Sequence, residues 1–97
     1  MSMALAQKLA ADSIAAVAEG RNLQDVLAQI RTAHPDLMAQ ENGALQDIAY
    51  GCQRYLGSLK HMLAQMLKKP IGNPQLESLL LAALYQLHYT RNAPHAV

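Results

Sequence analysis

The chain has 97 residues, with eight lysines and arginines against seven aspartates and glutamates, and a formal net charge of +1. This length suits one domain, because a separate core needs roughly 50 residues or more. The near-neutral charge excludes a strongly basic nucleic-acid arm and an acidic disordered tail. Alanine (17) and leucine (16) dominate, whereas valine, isoleucine and threonine together number only nine. This composition predicts a small all-α domain, because alanine and leucine favour helices.

The cysteine count and the hydropathy pattern indicate the compartment. Cys52 is the only cysteine, so the chain forms no internal disulfide and a reducing environment is favoured. No apolar stretch approaches the roughly 20 residues that cross a bilayer. The N-terminus lacks the basic start of a signal peptide. We therefore expect a cytoplasmic protein without membrane contact.

The first half of the sequence predicts two helices separated by a short turn. Apolar residues recur at a spacing near 3.6 from Ala4 to Glu19, and Gly20 follows where a left-handed cap would lie. Asn22 is a suitable N-cap for a second, short helix. We expect that helix to end near Ala33, because the next residue precedes Pro35 and is disfavoured in helical conformation.

The middle of the sequence contains the longest apolar stripe, which runs from Leu45 to Leu59 at helical spacing. Gly51 lies within it, where it costs about 1 kcal/mol relative to alanine. We expect this glycine to let another backbone pass close by. A break is predicted at Gly57 and Ser58, followed by a helix that runs to Lys69.

The last predicted helix begins near Pro74, which suits a first helical position, and continues to Leu87. It is apolar nearly all round, a pattern typical of a helix that is buried on most sides. The segment Asn92–Pro94 is expected to end it. The preceding helices provide few packing partners to cover all the apolar faces of this last helix.

The charge is unevenly distributed along the chain. Residues 1–47 carry three basic and six acidic side chains, whereas residues 48–76 carry no acidic residue. That acid-free window holds Arg54, Lys60, Lys68 and Lys69. A basic face of this kind could meet RNA phosphates. The alternative is an ordinary solvated helix surface.

No catalytic motif is found. None of the four histidines (His34, His61, His88 and His95) pairs at helical spacing with another metal ligand, and no phosphate-binding loop or nucleophile elbow occurs. Cys52 falls on the apolar stripe and is expected to be a small buried hydrophobe. We predict no catalytic, cofactor-binding or metal-binding residue in this chain.

The four tyrosines, Tyr50, Tyr55, Tyr85 and Tyr89, are the only aromatic residues. They could stack on splayed RNA bases or anchor helix packing. We favour packing for all four. Tyr89 is the best candidate for an exception, because it lies next to Arg91 at the end of the helix.

Three segments resemble a known family. Residues 45–56 (LQDIAYGCQRYL) are similar to its LQ(E/D)(I/L)xYGxxR(W/Y) pattern, residues 67–71 (LKKPI) to its LLKKPL turn, and residues 79–97 (LLLAALYQLHYTRNAPHAV) to its LLLxGLYQLLYTRxPxHAAV pattern. The chain thus resembles the N-terminal NusB-like domain of the Sun/Fmu/RsmB-type bacterial methyltransferases, which make 5-methylcytosine in small-subunit ribosomal RNA.

The resemblance implies a NusB-like helical bundle of about five helices over residues 1–97, without the family's C-terminal helices. It further implies an accessory domain, inactive alone, that holds or orients ribosomal RNA. A separate C-terminal methyltransferase domain would carry the nucleophile and bind S-adenosylmethionine, and this chain itself would hold no cofactor. The candidate RNA-binding residues are Arg54, Lys60, Lys68, Lys69 and Arg91.

Two other functions remain open at this point. One is a free-standing transcription antitermination factor of the NusB type, although its relatives have an arginine-rich first helix where this chain offers only Lys8. The other is a helical docking domain without RNA contact. The family pattern continues beyond Val97, so we expect a fragment of a longer protein. A second copy of the chain would then cover the exposed faces of the last helix in a homodimer.

Overall fold

The computed structural model describes residues 3–90, which form five α-helices followed by a π-helical turn. The helices are α1 (Met3–Ala18), α2 (Leu23–Ala33), α3 (Ala39–Arg54), α4 (Leu56–Met66) and α5 (Pro74–Tyr85), and the turn is Gln86–Thr90. No strand occurs within this part of the chain. The prediction of an all-α bundle of about five helices is confirmed. None of the helices in residues 3–90 has the length and apolar character to cross a membrane.

Local capping explains the boundaries of α1, α2 and α5. Gly20 ends the first helical segment with a φ of 102°, the left-handed conformation that favours glycine. The Asn22 carboxamide accepts a hydrogen bond from the backbone N–H of Asp25 at 3.1 Å. Asn73 caps α5 by accepting from the N–H groups of Gln75 and Leu76 at 2.9 and 3.1 Å. The predicted cap at Asn22 is therefore confirmed.

The middle of the chain differs from the sequence expectations. α3 begins at Ala39, six residues before the apolar stripe, because the Glu41 carboxylate accepts from the Met38 N–H at 3.1 Å and caps this end. The break falls at Tyr55, not at Gly57 and Ser58.

The end of α4 also differs. The prediction that this helix runs to Lys69 is wrong, because α4 ends at Met66 and Leu67 is extended with a ψ of 138°. Pro70 has no N–H to donate to the Met66 carbonyl four residues earlier, and in a helix its ring would clash with that carbonyl, which disfavours a further helical turn. Lys68 and Lys69 therefore lie on the connection between α4 and α5, not on a helix.

The core forms where α1 and α5 cross the other helices. α1 packs against α2, α3 and α5, and α5 packs against α1, α3 and α4. The buried core residues of this cluster come from all five helices: Leu9, Ala10, Ile14, Leu27, Leu45, Ile48, Ala49, Cys52, Leu59, Leu63, Leu81, Ala82, Leu84 and Tyr85. α5 is less enclosed than its apolar sequence predicted, since Leu76 and Leu79 remain 47% and 42% exposed.

Gly51 on α3 lies against the Tyr85 side chain of α5. A Cβ atom built at this position would overlap the ring of Tyr85. The expectation of a neighbouring backbone is wrong, because the group that lies against Gly51 is an aromatic side chain. The absence of a side chain at position 51 thus makes room for the Tyr85 ring, which is only 6% exposed.

Candidate nucleic-acid interface

Three of the predicted RNA-binding residues line one open cavity of about 360 Å³. Lys60 extends from α4, and Lys68 and Lys69 come from the connection to α5. We call this cavity the lysine pocket. Its wall is formed mainly by apolar residues, namely Leu63, Ala64, Leu67, Pro70 and Ile71. An apolar wall lets lysine stems pack while their ammonium groups remain in water.

The lysine pocket has a net positive charge. Glu77 at the start of α5 is the one acidic residue among its lining side chains. Within residues 3–90, none of Lys60, Lys68 and Lys69 forms an ion pair with Glu77 or with any other carboxylate. All three lysines are exposed. Ammonium groups that lack a protein partner are available to an external anion such as phosphate.

Arg54 lies elsewhere, in a second cavity of about 220 Å³. Its lining consists of Asp47, Tyr50, Gly51, Arg54, Tyr55, Tyr85 and Tyr89, and we call it the tyrosine pocket. The structure therefore brings three of the five predicted residues together and places the fourth among aromatic side chains. The fifth, Arg91, lies outside the described residues.

Three tyrosines stack on one another beside this pocket. The rings of Tyr55 and Tyr89 are nearly parallel, at 8°, with their centroids 4.1 Å apart. Tyr85 stacks against both, with centroid distances of 6.4 Å to Tyr55 and 5.8 Å to Tyr89. The two distances from Tyr85 lie in the range of favourable aromatic pairs, whereas the Tyr55 and Tyr89 rings are closer than that range. The packing role predicted for these three tyrosines agrees with the geometry.

The Tyr85 hydroxyl donates a hydrogen bond to Asp47 Oδ1 at 2.8 Å. Burial raises the pKa of Tyr85 to about 12, and the hydrogen bond to the Asp47 carboxylate adds to the rise. The hydroxyl therefore stays neutral and keeps donating across the physiological range. This hydrogen bond links α5, which carries Tyr85, to α3, which carries Asp47.

Tyr50 and Asp47 were missed as site residues by sequence reasoning. Tyr50 is 41% exposed, so the packing role assigned to it does not describe its position. One signal was available in the sequence: Asp47, Tyr50, Gly51 and Arg54 stand at i, i+3, i+4 and i+7, which is one face of a helix. That face of α3 forms one side of the tyrosine pocket.

Cys52 is fully buried beneath this face. Its thiol lies 3.7 Å from the carbonyl oxygen of Leu81, and burial raises its pKa to about 12, with a further contribution from the Asp47 charge. A thiol of this kind is inert, so the expectation of a small buried hydrophobe is confirmed. Among residues 3–90 no group of three or more histidine, cysteine or carboxylate side chains could hold a metal ion.

Similar proteins are found among bacterial RNA-modifying enzymes. The chain is 35% identical over 89 residues to ribosomal RNA small subunit methyltransferase B of Pectobacterium atrosepticum, a match covering 87% of the chain and 21% of that protein. Proteins of the same name from Klebsiella pneumoniae and Pseudomonas syringae are 32% and 34% identical over 93 and 89 residues. Those matches cover 93% and 90% of the chain, and 21% and 19% of the relatives.

The chain spans about a fifth of the length of these relatives. No solved structure matches it significantly. The model of the NusB family, in contrast, matches residues 4–97, which is nearly the whole sequence. The motifs in residues 45–56, 67–71 and 79–97 had indicated the same relationship. On these grounds the chain belongs to the NusB family.

Proposed function

We propose that this chain is the N-terminal RNA-binding domain of a ribosomal RNA small-subunit cytosine-5 methyltransferase that acts in the cytoplasm. It holds or orients the ribosomal RNA, and the catalytic step takes place on a separate C-terminal domain. The names of the relatives and the match to the NusB family support this assignment. The domain itself carries no catalytic activity.

The lysine pocket is the observation that carries the proposal. Lys60, Lys68 and Lys69 bring three positive charges to one cavity on a chain whose net charge is only +1. No carboxylate in the described residues neutralises them by an ion pair. Concentrated charge on a nearly neutral protein favours contact with a polyanion at one place. RNA phosphates are the polyanion that fits the relatives.

The methyl-donor cofactor belongs to the rest of the longer protein. Nucleotide cofactors are commonly held by a glycine-rich turn that follows a strand and opens a helix. Residues 3–90 contain helices and connections only, and no such turn after a strand occurs among them. When it is bound, that cofactor supplies the methyl group, and the contribution of this chain is to position the RNA.

The salt dependence of RNA binding tests the proposal. We expect the chain to bind a fragment of small-subunit ribosomal RNA with an affinity that falls linearly on a plot of log K against log salt. Replacing Lys68 and Lys69 by glutamine should reduce the slope by about one for each phosphate that the variant no longer neutralises. Lys8→Gln, which removes one positive charge from α1 outside the lysine pocket, is the matched control for the single variants Lys68→Gln and Lys69→Gln.

Two results would oppose this function. Salt-insensitive binding, or equal slopes for the wild-type chain and the Lys68/Lys69 double variant, would show that the pocket does not meet phosphates. No binding at all would favour the docking role. A third cavity, of about 400 Å³, favours that alternative, because Leu79 and Ala4 give it a mainly apolar lining between α1 and α5.

A further inference from the structure

We propose that the tyrosine pocket takes one unpaired RNA base that carries an exocyclic amino group, such as cytosine. This inference rests on the proposed RNA-binding function and adds a second, chemically different contact to it. The lysine pocket would meet the backbone of the RNA, whereas the tyrosine pocket would meet the face and edge of a base.

The face of α3 that forms the pocket carries three kinds of group. Asp47, Tyr50 and Arg54 lie on one face of the helix at helical spacing. Gly51 lies between them, and the Tyr85 ring occupies the space that a side chain at position 51 would need. A base needs an aromatic surface for stacking and polar groups for its edge. The three side chains supply an aromatic surface, a planar cation and a hydrogen-bond acceptor on one helical face.

Tyr50 is the ring that remains available for stacking. Tyr55, Tyr85 and Tyr89 stack on each other, whereas Tyr50 enters no ring pair within residues 3–90. It is also the most exposed of the four, at 41%. Tyrosine rings stack on bases of any sequence, because every base has a π-face. The other three rings line the same pocket and are held by their mutual stacking.

The charges favour a base over a phosphate. The Asp47 carboxylate repels a phosphate placed in the same cavity. One of its oxygens accepts from Tyr85, and within the described chain the other has no donor. A free carboxylate oxygen accepts from the amino group of cytosine but repels the O4 carbonyl of uracil. Arg54 can lie against the exposed face of the base as a cation–π partner.

The volume also limits the occupant. Pockets that hold drug-sized ligands measure roughly 300–1,000 Å³, and the tyrosine pocket measures about 220 Å³. It therefore suits one planar group and not a base pair. A paired base would in any case hide its edge from Asp47, so the RNA segment has to be single-stranded here.

Three short RNA ligands of equal length test the proposal by fluorescence anisotropy at one fixed salt concentration. They are an oligocytidylate, an oligouridylate and an abasic ribose-phosphate chain. We expect the wild-type chain to bind the oligocytidylate roughly 5- to 150-fold more tightly than the abasic chain, the factor that stacking of one base gives. The oligouridylate should bind more weakly than the oligocytidylate.

Variants of two residues separate stacking from edge recognition. Tyr50→Ala should bind the oligocytidylate no better than the abasic chain, whereas Tyr50→Phe, which keeps the ring, should bind like the wild type. Asp47→Asn should lose the preference for cytidine over uridine, because a carboxamide both accepts and donates. Circular dichroism verifies that each variant is folded, and the abasic ligand tests the wild-type chain without any substitution.

The outcomes distinguish this inference from the function on which it rests. Equal binding of the oligocytidylate and the abasic chain, with an intact lysine-dependent salt slope, overturns the base pocket and leaves the RNA-binding function standing. Equal binding of cytidine and uridine oligomers overturns the role of Asp47. Absence of binding by all three ligands overturns both proposals.

Discussion

The ring of Tyr85 occupies the space in which a side chain at position 51 would lie, and its hydroxyl group is fixed by Asp47 one turn away. Gly51→Ala should therefore destabilise the chain, because the added methyl group displaces a buried, stacked ring. Overpacking of this kind costs about 1–3 kcal/mol and outweighs the helix propensity of alanine. Urea denaturation followed by circular dichroism measures the change.

Gly43→Ala is the matched control for this change. Gly43 lies in the same helix, and a Cβ atom there meets nothing within 4 Å. This variant should be more stable than the wild type by about 0.5–1 kcal/mol, the ordinary gain of alanine over glycine in a helix. Equal effects of the two substitutions would show that Tyr85 moves aside without cost.

The hydrogen bond from Tyr85 to Asp47 should make stability depend on pH in the alkaline range. The pKa of Tyr85 rises from 10.0 to about 12 in the folded chain, so folding favours the neutral phenol. Its stabilising contribution is complete below pH 10 and is lost as the pH rises from 10 through 12. Tyr85→Phe, which lacks this group, should be about 1 kcal/mol less stable than the wild type at pH 8.

The difference between the two proteins should shrink at pH 11, as measured by urea denaturation at both pH values. The Cys52 thiol also titrates in this range and its charge contributes to the raised pKa of Tyr85, so both proteins carry Cys52→Ala in this comparison. A stability difference that stays constant from pH 8 to pH 11 would contradict the raised pKa of Tyr85.

Cys52 should not react with thiol reagents in the folded chain. Its pKa rises from 9.0 to about 12, which lowers the thiolate population at pH 8 about a thousandfold, and the side chain is fully buried. Dithiobis(nitrobenzoate) should therefore modify it only through unfolding, so the rate should follow the unfolded population across a urea series. Rapid modification without denaturant would place the thiol at the surface.

We propose that the chain forms a homodimer through the exposed edge of α5, where Leu76 and Leu79 lie. Leu79→Lys should then shift the sedimentation coefficient to that of a monomer. Met66→Lys is the control, since Met66 is 67% exposed on α4 and lies outside that edge. A wild-type chain that sediments as a monomer at high concentration would remove the dimer.

The sequence predicted correctly those helix boundaries that are determined by a few neighbouring residues. The turn at Gly20, the cap at Asn22 and the start at Pro74 depend on residues within three or four positions, and all three were predicted. The start of α3 was missed because Met38 is not a typical capping residue and its cap comes from Glu41.

In the candidate site, too, the residues that were predicted are those whose position depends on nearby sequence. Lys60, Lys68 and Lys69 are near one another in the sequence, so the acid-free window located their pocket. Tyr50 was assigned to packing, although its spacing from Asp47 and Arg54 places it on the same helix face as these two charged residues, and it is 41% exposed. Arg54 was chosen for its charge alone, while two of the four tyrosines that line its pocket, Tyr85 and Tyr89, come from a distant part of the sequence.

The stacked tyrosines provide an intrinsic spectroscopic probe of one part of the fold. The sequence contains no tryptophan and no phenylalanine, so its four tyrosines produce essentially all of its near-ultraviolet absorption, and three of them share one cluster. Near-ultraviolet dichroism therefore reports on one small region where α3, α5 and the π-helical turn meet, whereas far-ultraviolet dichroism reports on every helix. Loosening of that region alone would change the first spectrum and leave the second intact.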